Sequence, residues 1–205
     1  SGKLEFTLEQ NRPLEPEEVA VLYDEVIRLR GLVGELQDLS RLEAGHAMLD
    51  KTLIAFPAYF SDFQVLLEAE AESRNIDLRV DIASDVEYCY ADSKRLKQII
   101  LNLINNAFRY TAEGGIVKVR VWQDKNEFYF SVQDTGIGIA SDELDRIFER
   151  FYRVDKSHSQ EISGTGLGLA IARNAIITHR GAIKVHSEEG VGTTFTVRIP
   201  LNYIA

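Results

Sequence analysis

Three glycines fall within five residues in "ISGTGLGLAI", Ile162 to Ile171, where Gly164, Gly166 and Gly168 alternate with Thr165 and Leu167. An apolar run follows at once. In regular structure each glycine costs roughly 0.5–1 kcal/mol against alanine, so a chain that keeps three at a helix start needs bare backbone there. A second glycine turn, "DTGIGI", closes an alternating stretch upstream with Asp134, Gly136 and Gly138. A strand that ends in one glycine turn, and a helix that opens from another, require a fold mixing both element types.

The rest of the chain fills in that frame. Its 205 residues are 45% hydrophobic and 27% charged, the make-up of one packed domain with an appendage. A net charge of −9 argues against a nucleic-acid surface. Cys89 alone excludes an internal disulfide and a multi-cysteine zinc site, and suits a reducing compartment. No apolar run reaches the roughly 18 residues of a membrane span.

The division falls near residue 48. Ahead of it Val19, Leu22, Val26, Leu29, Val33 and Leu36 recur at spacings of three and four, a heptad seam thickened by Leu32 and Leu39. Pro16 suits the first turn of that helix. "GKLEFTLEQ" reads as the tail of a partner helix, so residues 1–48 are expected to form part of a helical hairpin that dimerises. Gly31 and Gly34 weaken the seam.

Residues 49–205 alternate helix and strand. "FPAYFSDFQVLLEAEAESRN" reads as a helix, and "IDLRVDI" and "VEYCYA" as short strands. "DSKRLKQIILNLINNAFRY" has an Asp cap and one apolar face of Leu96, Ile99, Ile100, Leu103 and Ala107. Two strands turn at Asp124–Asn126, a helix is expected from about Thr165 to His179, and a hairpin closes the chain. Grouped hairpins and helices predict an α+β fold, a two-layer α/β sandwich with a mixed sheet and its helices on one face.

The glycine turns fit neither common phosphate fingerprint. GxxxxGK[ST] is absent, and GxGxxG fails at Ser141 and again at Leu169. What stands instead is an ordered set: "NLINNAFRYT", "DTGIGI", "FERFYR" and "GTGLGLAI". This set resembles the catalytic ATP-binding domain of sensor histidine kinases, in the superfamily shared with gyrase, heat-shock chaperone and mismatch-repair ATPases. The resemblance covers nearly the whole chain, with "LVGELQDLSRLEAG" similar to the second half of the family's dimerisation hairpin.

The residues give that resemblance separate physical support. Asn102 and Asn106 share a helical face, with Arg109 and Tyr110 a turn further on. Taken singly, Asn102, Asn105 and Asn106 read as helix caps or solvated surface. A carboxamide oxygen also suits magnesium already held by phosphates, and the resemblance makes Asn106 the Mg2+ ligand and places Arg109 near the phosphates. Asp134 can accept a hydrogen bond from the amino group of adenine, which guanine's oxygen could not donate. Gly136 and Gly138 would let backbone approach the base. Arg150, Arg153 and Lys156 fall at helical spacing; Arg150 reads as solvated, and Arg153 matches a family position near the terminal phosphate. Phe148, Phe151 and Tyr152 are expected to anchor a mobile lid from about Ala140 to Ser163. Gly164, Thr165, Gly166 and Leu167 would present backbone N–H groups to phosphates at a helix start, with Gly168 permitting close packing.

Four histidines, His46, His158, His179 and His186, lack the sequence context of a phospho-acceptor, so the chain is expected to begin just past it. The implied function is transfer of the γ-phosphoryl group of ATP to a histidine, for relay to a response regulator receiver domain. Implied with it are a homodimer, no nucleic acid, a cytoplasmic location, and membrane contact only through segments outside this chain. The alternatives are an ATP-hydrolysing clamp of the same superfamily and a nucleotide-binding module without turnover. The hydrolases place a glutamate base where this chain has Asn102, which favours the kinase.

Overall fold

The computed structural model describes residues 15–43, 48–153 and 165–201, and the chain divides into two units, Ser1–Gln37 and Asp38–Ala205. That boundary lies inside the first helix, ahead of the division expected near residue 48. Helix α1 (Pro16–Glu43) begins at the proline, whose missing N–H costs nothing in a first turn. The Glu18 carboxylate accepts the Glu15 N–H at 3.0 Å. Along the seam Val19, Val26, Leu29, Val33 and Leu36 are exposed, Val26 by 60%. The partner helix expected in residues 1–14 lies outside the described residues.

Beyond α1, the second unit continues with a strand that sequence alone does not reveal. β1 (Lys51–Ala55) pairs antiparallel with β3 (Tyr88–Asp92) as a two-stranded sheet. Between them run α2 (Phe56–Ser73) and β2 (Asp77–Ile82). α3 (Ser93–Tyr110) follows, capped by Asp92, whose Oδ1 accepts the Arg95 N–H at 3.1 Å. Next come β4 (Ile116–Asp124), β5 (Glu127–Asp134), α4 (Gly168–Thr178), β6 (Ala182–Glu188) and β7 (Gly192–Pro200). The larger sheet has the order β2-β4-β5-β7-β6, with β2 parallel to β4 and every other pair antiparallel.

Alternation decides which face of the sheet is covered. Val117, Val119 and Val121 on β4, Phe128, Phe130 and Val132 on β5, and Phe195, Val197 and Ile199 on β7 are all buried. The Phe128 ring stands 4.9 Å from Phe56 of α2. α3 buries its whole expected apolar face, Leu96, Ile99, Ile100, Leu103 and Ala107, and adds Ile104 and Phe108. Each such large side chain contributes about 1.5–3 kcal/mol by leaving water. The opposite face carries Lys118 and Arg120, and Trp122 stacked on Tyr129 at 5.0 Å. The result is the expected two-layer mixed-sheet sandwich. Among the described residues no helix is long and apolar enough to cross a membrane.

Candidate functional site

β5 delivers a carboxylate to the core side of the sheet. Its inward row runs Phe128, Phe130, Val132 and then Asp134, which is only 6% exposed. Oδ1 of Asp134 accepts the Gly136 N–H at 2.9 Å and the Thr193 N–H at 3.2 Å. Oδ2 has no hydrogen-bond partner among the described residues. Burial pushes the carboxyl above its ordinary value, and the two N–H donors pull it partly back.

The turn after Asp134 is held by the protein's own backbone. A Cβ on Gly136 would stand 2.3 Å from the Tyr110 carbonyl oxygen, which accepts the Ile137 N–H at 3.2 Å. Gly138 adopts φ +69°, and a Cβ there would lie 2.0 Å from the Glu188 carbonyl oxygen. Both glycines are therefore required by close packing of this chain on itself, whatever else the turn meets.

α3 presents the asparagines. Nδ2 of Asn102 donates to the Gly168 carbonyl at 3.0 Å, joining α3 to the start of α4. One turn on, Asn106 is half-buried, and its carboxamide has no hydrogen-bond partner among the described residues. Arg109 and Tyr110 are half-buried in the last turn. Arg109 lines a cavity of about 670 Å3 with Phe63, Leu67, Lys97 and Asn105, on the side of α3 facing α2.

"FERFYR" meets the second glycine turn through the main chain. The Phe151 N–H donates to the Gly166 carbonyl at 3.0 Å. A Cβ on Gly166 (φ +71°) would stand 2.8 Å from Phe151 Cα. Phe151 itself holds φ +61° with its ring 56% exposed, a left-handed backbone that costs a side-chain-bearing residue roughly 1–2 kcal/mol. The expected anchoring is thus divided. Phe148 packs edge-on to Phe195 at 6.4 Å beneath the Arg173 guanidinium, and Tyr152 lies under Arg146, but Phe151 anchors through its backbone and not its ring. Arg153 is half-buried at the end of this segment. Gly164, with the remainder of the expected lid from 154, lies outside the described residues, as do His46 and His158.

α4 starts at Gly168, three residues later than expected, because Thr165–Leu167 form a turn in which Thr165 Oγ1 accepts the Leu167 N–H at 3.1 Å. The helix has no side-chain cap, which leaves first-turn amides to be satisfied from elsewhere. A Cβ on Gly168 would meet Asn102 at 3.6 Å, an ordinary contact, so packing among the described residues does not demand this glycine.

One residue beside Asp134 escapes sequence reasoning. Thr193 is buried, and its Oγ1 lies 2.8 Å from Ser187 Oγ, which also accepts the Ile139 N–H. The signal is the "GVGTTF" stretch, which reads as nothing more than the start of a strand. Among the described residues no group of three His, Cys, Asp or Glu side chains is placed to hold a metal ion.

Residues 91–203 match the family described as Histidine kinase-, DNA gyrase B-, and HSP90-like ATPase, and the chain belongs to it. It is 40% identical over 174 residues to the sensor histidine kinase RppB of Synechocystis sp., covering 85% of this chain and 38% of that protein. The solved structure of the Acinetobacter baumannii histidine kinase AdeS is similar with a TM-score of 0.82 at 25% identity, covering 98% of this chain and 92% of that one. Full-length ShkA in complex with AMPPNP matches with a TM-score of 0.81 at 30% identity, over 96% of this chain and 41% of that one. The chain spans between 25% and 38% of the length of the first curated relatives it matches. It corresponds to the ATP-binding catalytic region of sensor histidine kinases.

Proposed function

We propose that this chain binds Mg-ATP and directs its γ-phosphoryl group to a histidine of a dimerisation hairpin, for relay to a response regulator. The observation that carries the reading is Asp134, a buried carboxylate with one oxygen accepting from Gly136 and Thr193 and the other without a partner among the described residues. The 6-amino group of adenine would satisfy the second oxygen, whereas guanine presents an acceptor oxygen at that position, which accounts for selecting adenine over guanine. Gly136 and Thr193 hold that carboxylate in place, and Gly138 would let backbone approach the base.

The phosphates belong at the uncapped start of α4, where Thr165, Gly166, Leu167 and Gly168 supply main-chain N–H groups and the helix dipole favours an anion. Gly164 is the glycine preceding that turn. Arg109 is the cation assigned near the phosphates and Arg153 the one assigned to the terminal phosphate, and Tyr110 closes the asparagine face. Asn106 fits magnesium, because its carboxamide has no hydrogen-bond partner among the described residues and a cation without a carboxylate cage depends on oxygens brought by the nucleotide. Magnesium supplies charge neutralisation during phosphoryl transfer; the residues supply position and electrostatic stabilisation. Asn102, bonded to Gly168, aligns two helices and has no carboxylate with which to activate water, which favours transfer over hydrolysis.

The exposed seam of α1 fits association with a second copy of this chain, and membrane contact is assigned to segments outside it. Catalytic transfer needs an acceptor held in line. None of His46, His158, His179 and His186 has the sequence context of a phospho-acceptor, so the 205 residues should take up no acid-labile label from γ-labelled ATP. Joining a first helix with its histidine ahead of Ser1 should restore it.

Calorimetry tests the central assignment. The parent should bind ATP and bind GTP poorly, and Asp134→Asn should lose ~1.5–3 kcal/mol of ATP affinity, the usual worth of a hydrogen bond to a charged group. Equal affinity for both nucleotides would remove Asp134 from its role.

A further inference from the structure

His179 lies outside the site just described, yet it is 0% exposed and bonded through both ring nitrogens. It forms the C-cap of α4. Nε2 takes the Asp92 N–H at 3.1 Å, and Nδ1 lies 2.7 Å from the Ala175 carbonyl oxygen. A backbone N–H can only donate and a carbonyl can only accept, so Nε2 is unprotonated and Nδ1 carries the single proton. The ring is the neutral Nδ1–H tautomer.

That bond reaches the N-cap of α3. Asp92 precedes the helix and accepts the Arg95 N–H on Oδ1 and the Asp50 N–H on Oδ2. At the start of α4, Asn102, midway along α3, donates to the Gly168 carbonyl. α3 and α4 are therefore antiparallel, with α4 bonded to α3 at both of its ends. The two bonds stand about 15 Å apart along α3 and about 16 Å apart along α4 at 1.5 Å per residue. Matched spacings mean that neither helix can slide along the other without breaking a bond. The upper bond joins elements of the candidate nucleotide site; the lower one is His179.

We propose that His179 is a positioning residue for nucleotide binding: as a neutral ring it locks the end of α4 to the N-cap of α3, and so holds the glycine start of α4 in register with Asn102 and Asn106. This rests on the assignment of that face to ATP.

Titration follows from the geometry. A proton on Nε2 faces the Asp92 N–H, so the inter-helix bond is lost and two donors oppose each other. Facing the ring are Lys51 on β1, Asp92 at the end of β3 and Arg95 on α3; burial and the cations hold the imidazole below its ordinary 6.5, against Asp92 and the Ala175 carbonyl. The sign is that of a base depressed in the folded state. The clamp is intact above about 6.5, and its contribution declines as pH falls from there through the lower folded value.

Two variants of the 205-residue chain separate positioning from bulk. His179→Gln can place Oε1 where Nε2 stands, keeping the bond from Asp92 without a titrating group. His179→Asn can reach only the Ala175 carbonyl. Mg-ATP affinity, measured by calorimetry at pH 7.5 and 5.5 beside thermal melts, should be unchanged in the Gln variant at pH 7.5 and weakened roughly three- to tenfold in the Asn variant. Asp134 and ATP also titrate towards acid, and the Gln variant retains both. The parent's melting temperature should thus fall more between pH 7.5 and 5.5 than that of the Gln variant, and its affinity should fall more only below the lowered folded value of His179.

Equal affinity in folded Gln and Asn variants, or an acid-induced fall in melting temperature no larger in the parent than in the Gln variant, overturns the clamp. Should a variant not fold, nitrogen NMR of the parent ring decides: an Nε2–H tautomer overturns the proposal, and an Nδ1–H tautomer at pH 7.5 supports it. Failure of the parent to bind ATP at all would instead overturn the site assignment on which the clamp rests.

Discussion

At Asp134 the candidate site is a closed network, whereas at Phe151 and Gly166 it is an open and strained one. Around Asp134, Gly136 and Thr193 donate to one carboxylate oxygen while Ser187 and Thr193 bond one another across β6 and β7. Phe151 instead holds a left-handed backbone under an exposed ring, joined to Gly166 by a main-chain bond, and α4 has no side-chain cap. The first region holds its carboxylate by hydrogen bonds of the fold and leaves only Asp134 Oδ2 open among the described residues. The second has local strain and a helix start without a side-chain cap among the described residues, which is where ligand binding can return free energy and where movement costs least.

The contrast can be broken most decisively at Gly192, which carries φ +139° and would place a Cβ 2.0 Å from the Asp134 carbonyl oxygen. Gly192→Ala should cost about 3 kcal/mol in urea unfolding, since neither backbone can yield without disrupting the β5–β7 ladder. A loss below about 1 kcal/mol would mean that the Asp134 region is as adaptable as the Phe151 turn.

Phe151→Gly probes the other side with the opposite sign. Relief of the left-handed backbone should outweigh the entropy gained by the unfolded chain, so stability should rise by up to about 1 kcal/mol. Measured destabilisation would show that the exposed ring packs after all.

The smallest effect sharpens the comparison. Asn at position 134 keeps an oxygen for the Gly136 and Thr193 N–H groups and removes a buried charge. Because burial raises the folded carboxyl above 3.8, ionisation disfavours the fold progressively as pH rises from 3.8 through the raised value. Asp134→Asn should therefore melt at the same temperature as the parent or higher at pH 7, while its ATP affinity falls. A lower melting temperature would show that the carboxylate stabilises the fold.

Legibility in the sequence followed how local each cause is. The apolar face of α3, its Asp92 cap, the β4–β5 turn and the closing hairpin all depend on contacts within a few residues, and all were readable. "KTLIA" was not, because β1 exists through pairing with β3, Ile54 opposite Cys89 and Lys51 opposite Asp92. The glycines were legible as sites of close approach but not as to partner. Sequence pointed Gly136 and Gly138 at a ligand; the fold packs them against Tyr110 and Glu188.

The sequence by itself determined the class of fold, the order of the four motifs and the residue types at the site, because periodicity, caps and glycine turns act over a single element. Tertiary structure decided which of those residues meet. Asn102 bonds Gly168, Thr193 bonds Asp134, and His179 bonds Asp92 across 87 residues of chain. No local pattern encodes such pairs, since each depends on how two separately formed elements align once their apolar faces are buried.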